Sequence, residues 1–516
     1  MTRVDRRTMG LLLAAGAAFF LLMIWIVLPA APAGFDWDDT WYIWMAEWFS
    51  GRQDYLDVIL PMLQARQYPP FFPFMLSMAG DVLESTSNGL ILNAVFLATG
   101  TLLVMTTLTR EGMPAIAAVF GGFLMMFNPI ALTYVPALMS EPLFILITVI
   151  AIGLASASRE TFTAWFITGL LAGLCVATRS IGWALVAALL VQILLQAKPR
   201  RLLYFLPGLG FGLLFIFYLK AGLPGAHNYL QGFYENLSNI NLQFLVNQAG
   251  AIVFGWQQLW GSVPGAILAA IVVLPGMGLR LVQAKADAWY ILISLVILMV
   301  WPFPDHMGRF LWVLFPMFLM AAQATLSLPG VVKQRKAISV FTLGLLLLIS
   351  IPDGMGKAFD RLLDPPGTEL NYLSRHSSWT RPDDRDEALI NLKVRKQFLD
   401  DMEQIKAVDT GGFCVHSELP ALVSVQARKV AFASPWNSLE NISPAGLNCR
   451  YYYLVPPAFQ GVSGVEVDRF TAMHQELFRS FAPYDESGET ILGVFLFLFP
   501  AQAEIPGQPR PATGPR

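Results

Sequence analysis

Three carboxylates, Asp36, Asp38 and Asp39, crowd into the aromatic run Phe35-Asp36-Trp37-Asp38-Asp39-Thr40-Trp41-Tyr42-Ile43-Trp44-Met45. In a chain only 14% charged, such a cluster is a candidate for proton transfer. Like charges at close range raise the pKa of at least one carboxylate, toward the range of a proton acceptor. Three further charges stand in apolar surroundings. Glu141 lies in Ser140-Glu141-Pro142-Leu143-Phe144, Arg179 in Thr178-Arg179-Ser180, and Arg309 follows Asp305-His306-Met307-Gly308. Two guanidiniums make charge-assisted bonds to phosphate oxygens and stabilise a phosphate leaving group. An aspartate takes the proton of an attacking hydroxyl. Structural alternatives stand beside each role. The acids can form a solvated loop among belt aromatics, and Arg179 can snorkel or pair with Glu141 to hold helices together.

The elements that position these residues are membrane-length. Of 516 residues, 55% are hydrophobic, and apolar runs of span length recur. Spans are predicted at Met9–Ala31, Leu90–Thr109, Met113–Ile130, Pro136–Ala157, Phe162–Ala177 and Ser180–Ala197. The second half adds Leu202–Leu219, Val263–Leu279, Ala288–Phe303, Phe310–Leu328 and Ala337–Ile351, about eleven in all. With Arg3, Arg6 and Arg7 inside, the alternate loops carry Arg110, Arg159, Lys198 with Arg200 and Arg201, Arg280 with Lys285, and Lys333 with Arg335 and Lys336. That is the positive-inside pattern, and it survives only if Phe71–Leu83 is an interfacial helix rather than a full span. The N-terminus is then inside and the C-terminus outside. The first run is too long for a signal h-region and reads as an uncleaved anchor. A charge within a span costs about 2.5–3.5 kcal/mol on insertion scales. Glu141, Arg179, Arg309 and the aspartates all fall at the outer ends, and this shared depth favours a site.

Three outer segments break the membrane pattern. Residues 32–88 form a first outer loop with interfacial helices such as Thr40–Phe49 and Leu56–Gln67. Lys220–Ser262 places Trp256 and Trp260 on one helix face as interface anchors. Residues 352–500 read as an outer α/β domain, distinct from the membrane region 1–351. It has a polar helix over Asp383–Ala407, strands Phe413–His416, Lys429–Ala433 and Arg450–Val455, a helix near Val467–Phe481 and a strand Thr490–Phe499. The tail 501–516 reads as disordered. Three cysteines exclude a disulfide scaffold: Cys175 is a small core residue, and a Cys414–Cys449 bridge stays open. A net charge of −2 gives no support for nucleic-acid binding.

Asp38-Asp39-Thr40-Trp41-Tyr42, followed by Ala46 and Gly51-Arg52, resembles the acidic first-loop motif of GT-C glycosyltransferases. Tyr68-Pro69-Pro70-Phe71-Phe72-Pro73-Phe74 is similar to the Tyr-Pro-Pro motif of these enzymes, and Ser140–Phe144 and Arg309-Phe310-Leu311 with Pro316 are also common among them. Protein O-mannosyltransferases and the lipid A aminoarabinose transferase belong to this superfamily. The resemblance covers residues 9–350. It implies a polyprenyl-phosphate-linked sugar donor, transfer at the outer face with inversion, and Asp38 as base. Asp39 takes a position more often filled by Glu, and Asp36 is a rival base. Where aminoarabinose transferases carry a phosphate-contacting Lys, this chain has Tyr68, with Arg66 as a substitute.

The resulting expectation is an α-helical polytopic membrane protein of GT-C type, with about eleven spans and a small extracytoplasmic C-terminal α/β domain. The activity is that of a glycosyltransferase in a bacterial inner membrane. Its acceptor is a lipid, glycan or protein hydroxyl. Catalysis falls to Asp38, Asp39 or Asp36, phosphate binding to Arg179, Arg309 and Arg66, and positioning to Glu141, Tyr68 and His306. No obligatory cofactor or metal is expected, although Asp36, Asp38 and Glu141 could offer oxygen ligands to a divalent ion. The alternative is a transporter or flippase of lipid-linked or anionic substrates. It would call for mid-membrane charges or inverted repeats, and no repeat is visible.

Overall fold

The computed structural model describes residues 4–27, 37–51, 68–80, 86–135, 137–157, 160–221, 240–301, 303–328, 335–351, 397–408, 413–417, 420–427, 430–433, 448–454, 475–485 and 488–497. The chain divides into two compact units, Met1–Gln53 with Leu60–Arg381, and Asp54–Ile59 with Pro382–Arg516.

The first unit is helical. Its N-terminal part comprises α1 (Arg6–Val27), α2 (Trp37–Phe49), α3 (Phe71–Ser77), α4 (Thr86–Arg110), α5 (Ala115–Phe127), α6 (Pro129–Tyr134), α7 (Glu141–Ala157), α8 (Phe162–Thr178), α9 (Gly182–Leu195) and α10 (Pro199–Ala221). Then follow α11 (Leu242–Leu259), α12 (Val263–Val282), α13 (Ala286–Leu298), a 3-10 turn (Pro304–His306), α14 (Met307–Trp312), α15 (Phe315–Thr325) and α16 (Arg335–Ser350). Among the described residues four helices are long and apolar enough to cross a membrane: Arg6–Val27, Ser87–Arg110, Pro199–Ala221 and Val263–Val282. Six shorter apolar helices, including Glu141–Ser156 and Phe162–Thr178, fall on other predicted spans. The chain is an integral membrane protein.

Short polar residues start several helices by accepting orphan backbone N–H groups. Asn128 accepts from Ala131 N at 2.9 Å, Asn241 from Phe244 N at 2.8 Å, and Ser262 from Gly265 N at 3.1 Å. α8 and α10 cross where two glycines meet: a Cβ on Gly173 would lie 2.8 Å from Gly212 Cα. Only small residues allow backbones so close.

Of Phe71–Leu83, the described residues 71–80 hold the seven-residue α3, roughly 10 Å long at 1.5 Å per residue against a bilayer core of about 30 Å. Other expectations are corrected. Phe310–Leu328 is not one helix but the end of α14 followed by α15. Pro316 lies in the first turn of α15, where its missing N–H is tolerated, and it disfavours helix through the residue before it. Phe315 through Gln323 are all buried, so α15 is a core helix rather than a lipid-facing one. Trp256 and Trp260 do share a face, 5.6 Å apart. Trp256 packs on Phe318 and Trp260 on Phe315, fastening α11 to α15.

The second unit holds helix α17 (397–407), β1 (Phe413–Ser417), α18 (Pro420–Ala427), β2 (Val430–Ala433), β3 (Asn448–Leu454), β4 (Gln475–Asp485) and β5 (Gly488–Phe497). The five strands run in the order β2-β1-β3-β5-β4. β1 is parallel to β2 and β3, and β5 is antiparallel to β3 and β4. Tyr453 donates to Asp401 Oδ2 at 2.5 Å, tying α17 to the sheet. The predicted helix near Val467–Phe481 is wrong where it is described, because residues 475–481 belong to β4. Its Gln-Glu-Leu-Phe-Arg-Ser-Phe sequence suits either period, and pairing with the apolar β5 decides for the strand. α18 was not anticipated. The side chains of Cys414 and Cys449 lie outside the described residues, although β1 and β3, which carry them, are neighbours.

Candidate active site

Asp38 and Asp39 occupy the first turn of α2, where the helix dipole favours carboxylates. Glu141 opens α7, with Pro142 next to it, and Ser140 immediately precedes the helix. Arg179 follows the last residue of α8 in extended backbone (φ −153°, ψ 142°), a cation at a helix C-terminus. Arg309 is carried by the short α14, directly after the 3-10 turn.

These separate segments bring their charges together. Arg309 donates through Nη1 to Asp38 Oδ2 at 2.5 Å and through Nε to Glu141 Oε1. Arg179 Nη1 pairs with the same Glu141 oxygen at 2.5 Å. The two arginines thus share one buried carboxylate, and Arg309 links it to the aspartate. The helix-fastening pair of Arg179 with Glu141 is present, and it is also part of a larger cluster. With Asp38, Glu141, Arg179 and Arg309 ionised, the four charges sum to zero. A buried ion pair is favourable only when its geometry and its remaining hydrogen bonds are good.

A second layer of contacts orients the first. Tyr68 donates its hydroxyl to Asp38 Oδ1 at 3.0 Å, so each oxygen of Asp38 has a partner. Its ring stacks on Trp41 at 5.7 Å. Arg179 Nη1 donates to Ser140 Oγ at 3.1 Å, and Ser140 Oγ also lies 3.1 Å from Tyr42 OH. Arg309 Nη2 points to Met139 Sδ at 3.3 Å, and its guanidinium lies 5.4 Å from the Tyr134 ring. Arg179 lies 5.6 Å from the Phe310 ring. Glu141 is fully buried, and among the described residues its Oε2 has no hydrogen-bond partner.

The electrostatics of Asp38 differ from the expectation of mutual repulsion. Burial pushes its carboxyl upward, but the charges of Arg309 and Arg179 and the bonds from Arg309 and Tyr68 outweigh it. They hold Asp38 below the usual carboxylate range. Attraction to the arginines, which come from distant sequence, dominates over the neighbouring acids.

Of the sequence-derived candidates, Asp38, Glu141, Arg179, Arg309 and Tyr68 converge. Tyr68 contacts the aspartate, which is a role the motif alone did not specify. Asp39 is buried beside Asp38, but the ion pair to Arg309 is made by Asp38. His306 ends the 3-10 turn with its side chain exposed. Asp36 and Arg66 lie outside the described residues, and with Asp36 goes one of the three oxygen donors considered for a divalent ion. The sequence alone assigns no role to Tyr42, Tyr134, Met139, Ser140 or Phe310. Tyr42 and Ser140 were detectable as polar side chains within the charged motifs, whereas Tyr134, Met139 and Phe310 reach the site only through tertiary packing.

No family model matches the chain, and no curated protein matches its sequence. Solved structures do. ArnT from Cupriavidus metallidurans in the apo state aligns with a TM-score of 0.56 and 11% identity, over 94% of this chain and 97% of its own. The same protein bound to undecaprenyl phosphate aligns with a TM-score of 0.54 and 12% identity, over 94% and 97%. The archaeal oligosaccharyltransferase AglB from Archaeoglobus fulgidus, in complex with an inhibitory peptide and a dolichol-phosphate, gives 0.47 and 13% identity, over 94% and 74%. The chain therefore has the fold of ArnT along nearly its whole length, in agreement with the fold implied by the sequence resemblance.

Proposed function

We propose that this protein is a membrane glycosyltransferase that moves a sugar from a polyprenyl-phosphate donor to an acceptor hydroxyl. The observation that carries this reading is the contact of Asp38 with Arg309, and through Glu141 with Arg179. A proton acceptor stands directly beside two anion-binding guanidiniums. The shared fold with ArnT, which has been solved with undecaprenyl phosphate bound, supports the donor class.

In this reading the acceptor oxygen attacks the anomeric carbon while Asp38 takes its proton. The bond from that carbon to the phosphate oxygen breaks, and its electron pair leaves with the polyprenyl phosphate. Attack opposite the leaving group inverts the anomeric centre. A proton arrives on Asp38 as negative charge grows on the phosphate, so the total charge of the site does not change during transfer. Arg179 and Arg309 stabilise the departing phosphate. Glu141 holds both arginines, and Tyr68 orients Asp38. Asp39, Asp36, Arg66 and His306 remain secondary candidates for the roles assigned to them from sequence.

The reaction is placed at the outer face of a bacterial inner membrane, with the N-terminus cytoplasmic and residues 352–500 as an extracytoplasmic domain after the membrane region 1–351. The acceptor is a lipid, a glycan or a protein, and no obligatory cofactor is invoked. The test is incubation of purified protein with radiolabelled polyprenyl-phosphate sugar and candidate acceptors. Transfer lost in the Asp38→Asn variant supports the reading. Undiminished turnover in that variant removes Asp38 as the base, and vectorial movement of lipid without transfer favours a flippase.

A further inference from the structure

Arg309 has two kinds of partner, and they differ in how easily they can be displaced. Glu141 is fully buried, at 0% side-chain exposure, whereas Asp38 is 24% exposed. Met139 Sδ and the Tyr134 ring hold the guanidinium from the protein interior. Arg309 therefore stays in place whether or not Asp38 touches it. Asp38 in turn has a second anchor, the Tyr68 hydroxyl on its other oxygen. The Asp38–Arg309 pair is thus the open edge of an otherwise fixed cluster.

We propose that Asp38 and the donor phosphate compete for Arg309, so that donor binding releases the carboxylate from its ion pair and makes it available to the acceptor hydroxyl. This rests on the glycosyltransferase reading and adds to it the means by which the base is activated. Charge balance supports it. The four ionised groups are neutral together, so they hold no spare cation for the incoming phosphate, and an arginine that engages it weakens its hold on a present partner. Asp38 is the exposed partner, and Tyr68 keeps it near the site once the pair opens. A carboxylate paired to a guanidinium is a weak base, whereas the same carboxylate beside a bound anion is a stronger one. Before donor arrives the base is held inactive, and the group that will leave is the group that frees it.

Competition has a signature independent of turnover, because removal of the competitor strengthens binding. The experiment measures the affinity of undecaprenyl phosphate for the full-length protein in nanodiscs, with uncharged polyprenol as the control. Wild type is compared with Asp38→Asn and Asp38→Ala, each checked for folding by a single cooperative thermal transition above the assay temperature. The expected result is about tenfold tighter binding of the phosphate by the folded variants, equivalent to about 1.4 kcal/mol. Binding of the uncharged polyprenol should be equal in all three. Equal or weaker phosphate binding by both folded variants, with wild type binding, overturns the competition and leaves the glycosyltransferase reading standing. Failure of every protein, wild type included, to prefer the phosphate over the alcohol overturns the phosphate site itself and the competition with it.

Discussion

Asp38 and Arg309 meet at 2.5 Å although 271 positions separate them in the chain. The contact joins the second residue of α2 to the six-residue α14, late in the first unit. It makes a candidate base and a candidate phosphate ligand into one unit, and most of the expected behaviour of the site follows from it.

Replacement of Asp38 by Asn removes the proton acceptor and keeps the shape. A positioned general base contributes roughly 10²–10⁴-fold to rate. Asp38→Asn is expected to reduce transfer by at least that range, with insertion unchanged and thermal unfolding lowered only by the loss of its one part-exposed ion pair. Radiolabelled donor gives the rate, and unfolding in detergent gives the control.

Glu141 is the shared partner of both arginines and is fully buried. Its removal leaves two cations facing each other, with Asp38 bonded to one of them. Breaking a buried pair from one side costs about 3–5 kcal/mol. Glu141→Ala should therefore unfold at markedly lower temperature than wild type, whereas Glu141→Gln, which preserves volume and one acceptor, should lose less. Equal melting temperatures for Glu141→Ala and wild type would contradict this placement.

The pH dependence follows from the lowered pKa of Asp38. A carboxyl whose folded value lies below its unfolded value stabilises the protein fully above the unfolded pKa, about 3.9. That contribution declines as pH falls through the lower folded value. Acidification from pH 7 to 5 should leave the stability owed to Asp38 intact. Kinetics should separate two states of the same group. kcat/KM for the donor reports the free enzyme and should show no acid limb from Asp38 in that range. kcat reports the donor complex, in which the competition for Arg309 has freed Asp38, and its acid limb should lie at higher pH. Coincident acid limbs in the two profiles would speak against the exchange.

Ser140 stands between Tyr42 and Arg179 at 3.1 Å from each. Ser140→Ala leaves the buried Tyr42 hydroxyl without this partner, at a cost of about 1–3 kcal/mol. In a double-mutant cycle, Ser140→Ala and Tyr42→Phe should be non-additive, with the double variant less destabilised than the sum of the singles. Strict additivity would show that the two hydroxyls do not interact.

Much of this site was legible in the sequence because charges are rare among apolar spans. Glu141, Arg179 and Arg309 each stand out as charges in apolar surroundings, Asp38 stands out in its acidic run, and the basic loops predict a common depth for them. Their pairing was not legible. Periodicity says which face of a helix is polar, but not that Arg309 turns toward Asp38 as well as Glu141. The reversal of the Asp38 shift has the same origin: local repulsion among acids is visible in sequence, and a distant guanidinium is not. The fold shows the same limit. Trp256 and Trp260 share a face as their spacing predicts, but the rings they pack on, Phe318 and Phe315, come from a later helix. The helix expected over residues 475–481 lost to a strand partner, β5, that lies later in the chain.

Glu141 and Arg179 belong to consecutive helices, α7 and α8, while Arg309 is synthesised much later and Asp38 well before. During biogenesis the two opposite charges of that first hairpin can neutralise each other as it leaves the insertion machinery. Arg309 then arrives as an excess cation beside a pair already formed, and Asp38 is the one described carboxylate it reaches that is not already engaged by an arginine. The last ion pair of the site can therefore close only once the chain from α2 through α14 has been delivered.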